Sequence, residues 1–409
     1  MIAVVKKRLN CMADRNTHRQ VIILASAQAL FQTASVLVMT VGGLAGGQIA
    51  SSPEYATLPI AAMFLGTAAA TFPASIWMSK VARRVGFVAG ALAGAAGGLV
   101  AALGIWHSSL LILCMGTFLV GAYQAFAQFY RFAASEVADD AFRPRAISLV
   151  LGGGIVAALA GPMLGRFGGP LLEPLYVGSF LLLAVVSLVS ASVLLGLRMP
   201  QSRLSIPKQG DARPWRKIVS QPAYLVALFG AATGYGIMIL AMTATPIAMV
   251  HHNHGLAAAA TVIQLHVLGM FLPSFFTGSL IARFGVVRIM FAGIGLFAAH
   301  VVMTLTGTAF GSFAGALVFL GIGWNFLYIG GTTLLTSTYN PAEKARAQAT
   351  NDMTIFAVGL ACSLGAGALL QSFGWQTLNL LLLPWLAVAA VAIAWFGVHR
   401  QRSVAAVTK

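Results

Sequence analysis

The chain has 409 residues, of which 59% are hydrophobic and only 8% charged, and it carries a net charge of +16. Soluble proteins carry roughly a quarter charged residues, so this composition excludes a dissolved globule and points to the lipid bilayer as solvent. The cations lie in short clusters between apolar runs rather than on one soluble face, which excludes a nucleic-acid binder.

A spanning helix needs about 20 mostly apolar residues. The first such run follows Lys6, Lys7 and Arg8 and is too long for a signal peptide, so it is expected to stay as a membrane helix. Twelve runs are expected to be helices 1 to 12. They cover residues 20–43, 55–78, 86–106, 108–134, 146–166, 175–197, 222–250, 256–281, 286–307, 310–335, 349–371 and 375–398. If the helices alternate in direction, all cations but Arg131 and Arg166 fall on one side, 23 of the 25. By the positive-inside rule that side is the cytoplasm, and it holds both termini.

Residues 198–221 differ in kind: they are polar and contain Pro200, Pro207 and Pro214 with six cations. They divide the chain into a six-helix bundle over 1–197, a cytoplasmic linker over 198–221, and a second bundle over 222–409. The halves repeat at about 200 residues. Arg84-Val85-Gly86 pairs with Arg283-Phe284-Gly285, Tyr123-Gln124 with Trp324-Asn325, and Arg145-Ala146 with Arg346-Ala347. Two parallel six-helix repeats are a transporter architecture. The fold class read here is all-α membrane, with twelve transmembrane helices in two pseudo-symmetric bundles.

Polar groups at membrane depth are costly and mark function by default. Near helix centres lie Gln28 and Gln32 on helix 1, and Tyr123, Gln124 and Gln128 on helix 4. Tyr235 lies on helix 7, and Trp324, Asn325 and Tyr328 on helix 10. Each can contact substrate, or can serve helix–helix hydrogen bonding. Arg131 sits near the cytoplasmic end of helix 4, where it can pair with Glu136 or draw in a polarised substrate. No carboxylate lies at the membrane centre, so either transport is proton-coupled through His266, or the proton is replaced by a counter-substrate or by downhill flux. The missing paired carboxylates argue against a membrane hydrolase. His251, His252 and His254 have no carboxylate or cysteine beside them, so no metal site is expected. Gly86, Gly90, Gly94 and Gly98 form one smooth face of helix 3, as close helix packing requires.

The chain resembles the major facilitator superfamily over nearly its whole length. The loop after helix 2 in that family reads roughly G-x-L-A-D-R-x-G-R. Here it runs Ser79-Lys80-Val81-Ala82-Arg83-Arg84-Val85-Gly86, with a second copy at Gly278-Ser279-Leu280-Ile281-Ala282-Arg283-Phe284-Gly285. The Asp is replaced by Arg83 and Ala282. The resemblance implies a cytoplasmic gate at Arg83, Arg84, Arg283 and Asp352, in which Arg83 or Arg84 meets Asp352 in a charge contact reversed in sign; the alternative is that the arginines anchor to lipid phosphates. Gly161-Pro162-Met163-Leu164-Gly165 on helix 5 is similar to the core of the superfamily's antiporter motif. It implies a pliable joint at Gly161, Pro162 and Gly165 and a lean towards export. In the family, helices 1, 4, 7 and 10 line a central cavity, so the substrate is expected between Tyr123-Gln124 and Trp324-Asn325.

The resulting expectation is a secondary transporter of a small organic solute working by alternating access in a bacterial inner membrane. The alternatives are an importer or uniporter of a small aromatic or anionic metabolite, or a receptor of the same fold that does not transport. No cofactor and no nucleic acid are expected. The expected partners are a small-molecule substrate, the lipid bilayer and protons, with the chain acting as a monomer.

Overall fold

The computed structural model describes residues 2–138, 143–199, 213–340 and 343–407. The central part of the linker, 200–212, lies outside them, and so do Asp139, Asp140, Arg203, Lys208 and Asp211. The described residues are helical throughout the apolar runs. Ten helices are long and apolar enough to cross a membrane, and a bent pair, Leu256–Phe271 with Ser274–Phe284, makes an eleventh span. The last of the ten runs from Arg346 to His399, 54 residues. At 1.5 Å per residue a straight helix of that length measures about 80 Å, against an apolar bilayer thickness of about 30 Å. Gly374 interrupts it with φ +72°, a conformation that only a residue without a side chain adopts freely, and so separates helices 11 and 12. The twelve expected helices are all present.

The chain divides into two compact units, Met1–Ala45 with Ala62–Leu204, and Gly46–Ala61 with Ser205–Lys409. The short segment after helix 1 therefore groups with the second unit. Its 3-10 turn Pro53–Thr57 lies against helix 11, where a Cβ on Gly367 would come within 2.6 Å of the Glu54 carbonyl oxygen.

In the first unit, helix 3 (Arg83–Trp106) packs its glycine face as expected. Gly90 receives Phe126 of helix 4, Gly94 receives Tyr123, and Gly98 touches the backbone of helix 6 at Phe180 and Ala184. Helix 4 is broken: Leu110–Ala127 ends, and Tyr130–Val137 resumes after Gln128 and Phe129. Helix 5 (Arg143–Gly168) runs unbroken through Pro162. Gly153 and Gly161 bring it against the backbone of helix 1 at Ala25, Ala29 and Thr33. Gly165 faces Val41 of the same helix.

In the second unit, helix 10 (Phe310–Thr336) packs between helices 8 and 9 and against helix 7 (Pro222–His251). Its contacts follow those of helix 4 at a spacing of 200 residues. A Cβ on Gly121 would strike helix 2 at Met63 and Thr67, and one on Gly321 would strike helix 8 at His266 and Met270. Gly90 meets Phe126 in the first unit, and Gly293 of helix 9 meets Phe326 in the second. This register corrects the repeat read from sequence. Gln124, not Tyr123, corresponds to Trp324, and Gln128 corresponds to Tyr328. The residue types looked alike one step out of phase because Tyr-Gln and Trp-Asn are both aromatic–amide pairs.

Candidate functional site

The membrane interior favours polar atoms that are paired. The sequence-derived candidates therefore separate by whether their hydrogen bonds are already made. Tyr123 is fully buried, donates its hydroxyl to Ser190 Oγ at 2.7 Å and sets its ring edge-on against Phe31. It holds helices 1, 4 and 6 together and has no exposed surface for a solute.

Asn325 is likewise fully buried and fully used. Its Nδ2 donates to the Met270 carbonyl at 2.6 Å and to Ser274 Oγ at 2.7 Å, and its Oδ1 accepts from Thr277 Oγ at 2.6 Å. The location explains the need. Helix 8 bends by 42° where Leu256–Phe271 gives way to Ser274–Phe284, at Leu272 and Pro273. Such a bend strips carbonyls of their intrahelical donors. The Asn325 amide supplies a donor to Met270 from the neighbouring helix. The expected substrate pairs thus each lose one member to packing.

The other members keep unmet capacity. Gln124 is 7% exposed, and its Oε1 is buried without a partner. Gln32 Oε1 on helix 1 is buried and unpaired as well. Trp324 is 7% exposed, and its Nε1–H has no acceptor. Gln28 and Gln128 are half-buried, Gln128 at the break in helix 4.

Trp324 belongs to an aromatic group within the second unit. It stacks on Tyr328, one helical turn on, with ring centroids 4.8 Å apart and planes within 11°. Tyr235 of helix 7 tilts towards Tyr328 at 6.4 Å, Phe356 of helix 11 meets Tyr235 edge-on at 6.1 Å, and Phe271 meets Trp324 at 6.1 Å. Gly359 leaves room for Tyr235, since a Cβ there would lie 2.9 Å from its ring. Sequence reasoning found Tyr235, Trp324 and Tyr328 but missed Phe356 and Phe271. Neither is polar at membrane depth, so the polarity filter could not find them. The i, i+4 spacing of Trp324 and Tyr328 was the available signal for an aromatic face.

His266 is completely buried on helix 8. Its Nδ1 lies 2.9 Å from the Leu317 carbonyl, which can only accept. The ring proton therefore sits on Nδ1, and Nε2 presents a lone pair that meets no partner. His300 of helix 9 is held at both ring nitrogens, by the Ala316 carbonyl at 2.9 Å and the Asn379 side chain at 2.8 Å.

At the end of the first unit the charges pair differently from the expectation. Arg83 forms its ion pair with Glu136, the partner expected for Arg131. Arg131 instead lies over the Phe132 ring at 4.8 Å. Arg83, one of the two arginines expected against Asp352, is thus engaged within its own unit. Asp352 accepts from the Asn351 amide at 3.1 Å, while Arg84 and Arg283 are exposed, Arg283 over Phe284. At the joint implied for Gly161, Pro162 and Gly165, the two glycines pack against helix 1.

One ion pair was not anticipated. Glu343 is 1% exposed and accepts from Arg213 Nε at 2.8 Å, Arg213 Nη2 at 2.7 Å and the Arg213 backbone N–H at 2.9 Å. Arg213 also donates to the Thr338 carbonyl at 2.8 Å. The described end of the linker is thereby tied to the segment between helices 10 and 11. Arg213 holds the Glu343 carboxyl down at about 2.

Comparison with known proteins agrees with this architecture. The model of the Major Facilitator Superfamily matches residues 23–272 and 233–408. A riboflavin transporter, RfnT of Brucella anthropi, is 42% identical over 377 residues, covering 92% of this chain and 95% of its own. The MFS-type transporter YddS of Bacillus subtilis is 29% identical, over 85% of each chain. Among solved structures, the nucleoside transporter NupG superposes with a TM-score of 0.67 at 16% identity, over 91% of this chain and 99% of its own. A bacterial homologue of the lysosomal transporter Spinster, in an inward-facing form, gives 0.68 at 14% identity, over 92% and 96%. These two show the shared fold. Twelve helices in two repeated units, a family match over nearly the whole length and transporter relatives converge on one conclusion: the chain belongs to the major facilitator superfamily and is a multi-pass membrane transporter, not an enzyme.

Proposed function

We propose that this chain is a secondary transporter of riboflavin or a closely related flavin. The observation that carries the reading is the 42% identity to a riboflavin transporter across 92% of the chain. An aromatic group with an unpaired indole N–H suits a planar solute rich in hydrogen-bond acceptors. This reading favours the alternative of a small aromatic metabolite. The lean towards export rested on the helix-5 motif, whose glycines are used here in packing helix 1.

Alternating access of the two repeats is the mechanism in this proposal, and a bacterial inner membrane is the location. The termini and linker lie in the cytoplasm in this reading, supported by the partition of 23 of 25 cations. Where a proton drives transport, it binds His266 at Nε2, with His300 of helix 9 as the titratable neighbour. Neither direction nor proton use enters the first test. A riboflavin-requiring bacterial strain without its own flavin transporter should regain growth on low riboflavin when it expresses this chain. Unrestored growth, with the protein present in the membrane at normal amounts, counts against flavin uptake. Riboflavin counterflow in vesicles then decides the reading as a whole.

A further inference from the structure

Within the second unit, one set of side chains combines flat aromatic surface with an unmet hydrogen bond. Trp324 and Tyr328 stack in parallel on one helix, 4.8 Å apart. Tyr235, from helix 7, leans towards Tyr328 at 39° and 6.4 Å. Both tyrosines are half-buried, so part of their surface is open. Three helices, 7, 10 and 11, converge to place these rings, and Phe356 braces Tyr235 from the third.

Packing alone accounts for the ring contacts but not for the choice of tryptophan. A buried N–H without an acceptor costs about as much as a lost hydrogen bond. Phenylalanine at position 324 would keep an aromatic ring on Tyr328 and leave nothing unpaired. The indole nitrogen of Trp385 in the same unit is provided for, donating to Thr233 Oγ1 at 3.0 Å. That of Trp324 is buried without an acceptor, and it sits in the aromatic group.

We infer that Tyr328 and Tyr235 form the seat for the planar ring system of the solute, and that Trp324 Nε1–H donates to an acceptor on that ring. The ligand class is a fused, flat heterocycle edged with carbonyl or imine acceptors, of which the isoalloxazine ring of a flavin is an example. Ring faces give affinity without regard to sequence of substituents, and the single donor gives orientation. The ribityl chain of riboflavin is not recognised by these residues. The inference rests on the flavin reading proposed above and assigns it a place.

The test is a binding titration on the full chain in nanodiscs, read by quenching of flavin fluorescence, with riboflavin and with lumichrome, which keeps a related tricyclic ring and lacks the ribityl chain. Wild-type protein should bind both, and ribitol should not compete. Trp324→Phe should weaken riboflavin by about 5- to 150-fold, the equivalent of one unmet hydrogen bond. Its unfolding temperature should equal or exceed wild type, because the variant removes an unpaired donor. Tyr328→Leu should weaken both ligands by about 2- to 13-fold through lost stacking, and Tyr328→Phe should not. If wild type binds riboflavin but Trp324→Phe and Tyr328→Leu bind it equally well, the seat is wrong while the flavin reading stands. If wild type binds no flavin, the flavin reading itself fails and the seat with it.

Discussion

The two units build the same helix crossing from opposite sides. Where helices 3 and 4 meet, a glycine of helix 3, Gly94, accepts an aromatic ring of helix 4, Tyr123. Where helices 9 and 10 meet, a glycine of helix 10, Gly323, accepts an aromatic ring of helix 9, Phe297. Volume at the crossing is kept while the large and small partners exchange helices, which is what close packing demands and all that it demands. Polar groups do not follow the exchange. Tyr123 brings a hydroxyl that Ser190 satisfies, whereas Phe297 brings none. Packing and function are therefore read from different atoms. Ring size tells how the helices cross, whereas buried polar atoms left unpaired, among them those of Gln32 and Gln124 in one unit and of Trp324 and His266 in the other, are available to a solute or proton.

The sharpest way to break this comparison is at the shared glycines. Gly121→Val and Gly321→Val each push a side chain into backbone of the adjacent helix, at Met63 and at His266. Backbone cannot rotate away as a side chain can, so both variants should fail to yield folded protein on size-exclusion chromatography. Gly152→Val, with nothing within 4 Å of its Cβ, should fold normally. Normal yields of both crossing variants would mean that the glycine register does not define the repeat.

A smaller effect separates packing amides from available ones. Asn325→Leu removes three hydrogen bonds at the bend of helix 8 and should cost about 1–3 kcal/mol of stability. Gln124→Leu removes a buried oxygen that pairs with nothing and should leave the unfolding temperature unchanged or raised. Thermal unfolding in detergent compares the two directly, and equal losses would contradict the division. Tyr123→Phe, which gives up one bond to Ser190, should cost about 1 kcal/mol or less.

The smallest predicted effect lies outside the membrane, and its sign differs between the units. Glu343 is held at about 2, below its ordinary value of 4.5, by Arg213. A depressed carboxyl stabilises the fold above the unfolded value, and the contribution fades as pH falls from about 4.5 to about 2. The unfolding temperature of wild type should therefore exceed that of Glu343→Gln at pH 6, and the gap should close in that acid window. Glu136 behaves oppositely: burial raises its carboxyl and Arg83 only partly restores it. The ionised form is disfavoured by the fold, so stability should fall, not rise, as pH passes upward through its value. A Glu136→Gln variant showing the same acid-dependent gap as Glu343→Gln would contradict this assignment.

Much of this was legible in the sequence for a plain reason. Apolar runs of bilayer length and one-sided cation clusters are properties of the chain, so twelve helices and two repeats could be counted before any coordinates. The glycine face of helix 3 was equally plain, since smooth faces serve close approach. What escaped was partner supply. Nothing in Asn325 itself announces that Pro273 bends the neighbouring helix and leaves a carbonyl to satisfy, and nothing in Glu136 shows that its partner is Arg83, 53 residues away, rather than the nearby Arg131. The aromatic group escaped in part because Phe356 is ordinary in an apolar helix until Tyr235 is seen against it. The repeat register slipped by one because similar residue types were matched, whereas the glycine crossings that set it are contacts between helices.

The most direct test of the central claim, that this chain moves flavin, is counterflow in proteoliposomes. Vesicles containing the purified protein are loaded with unlabelled riboflavin and diluted into a trace of labelled riboflavin. The account predicts transient accumulation of label above the equilibrium level, independent of transport direction and of any ion gradient. Accumulation should be blocked by excess lumichrome and reduced in Trp324→Phe. Label that never exceeds the level in protein-free vesicles, with the protein shown to be folded and inserted, would contradict it.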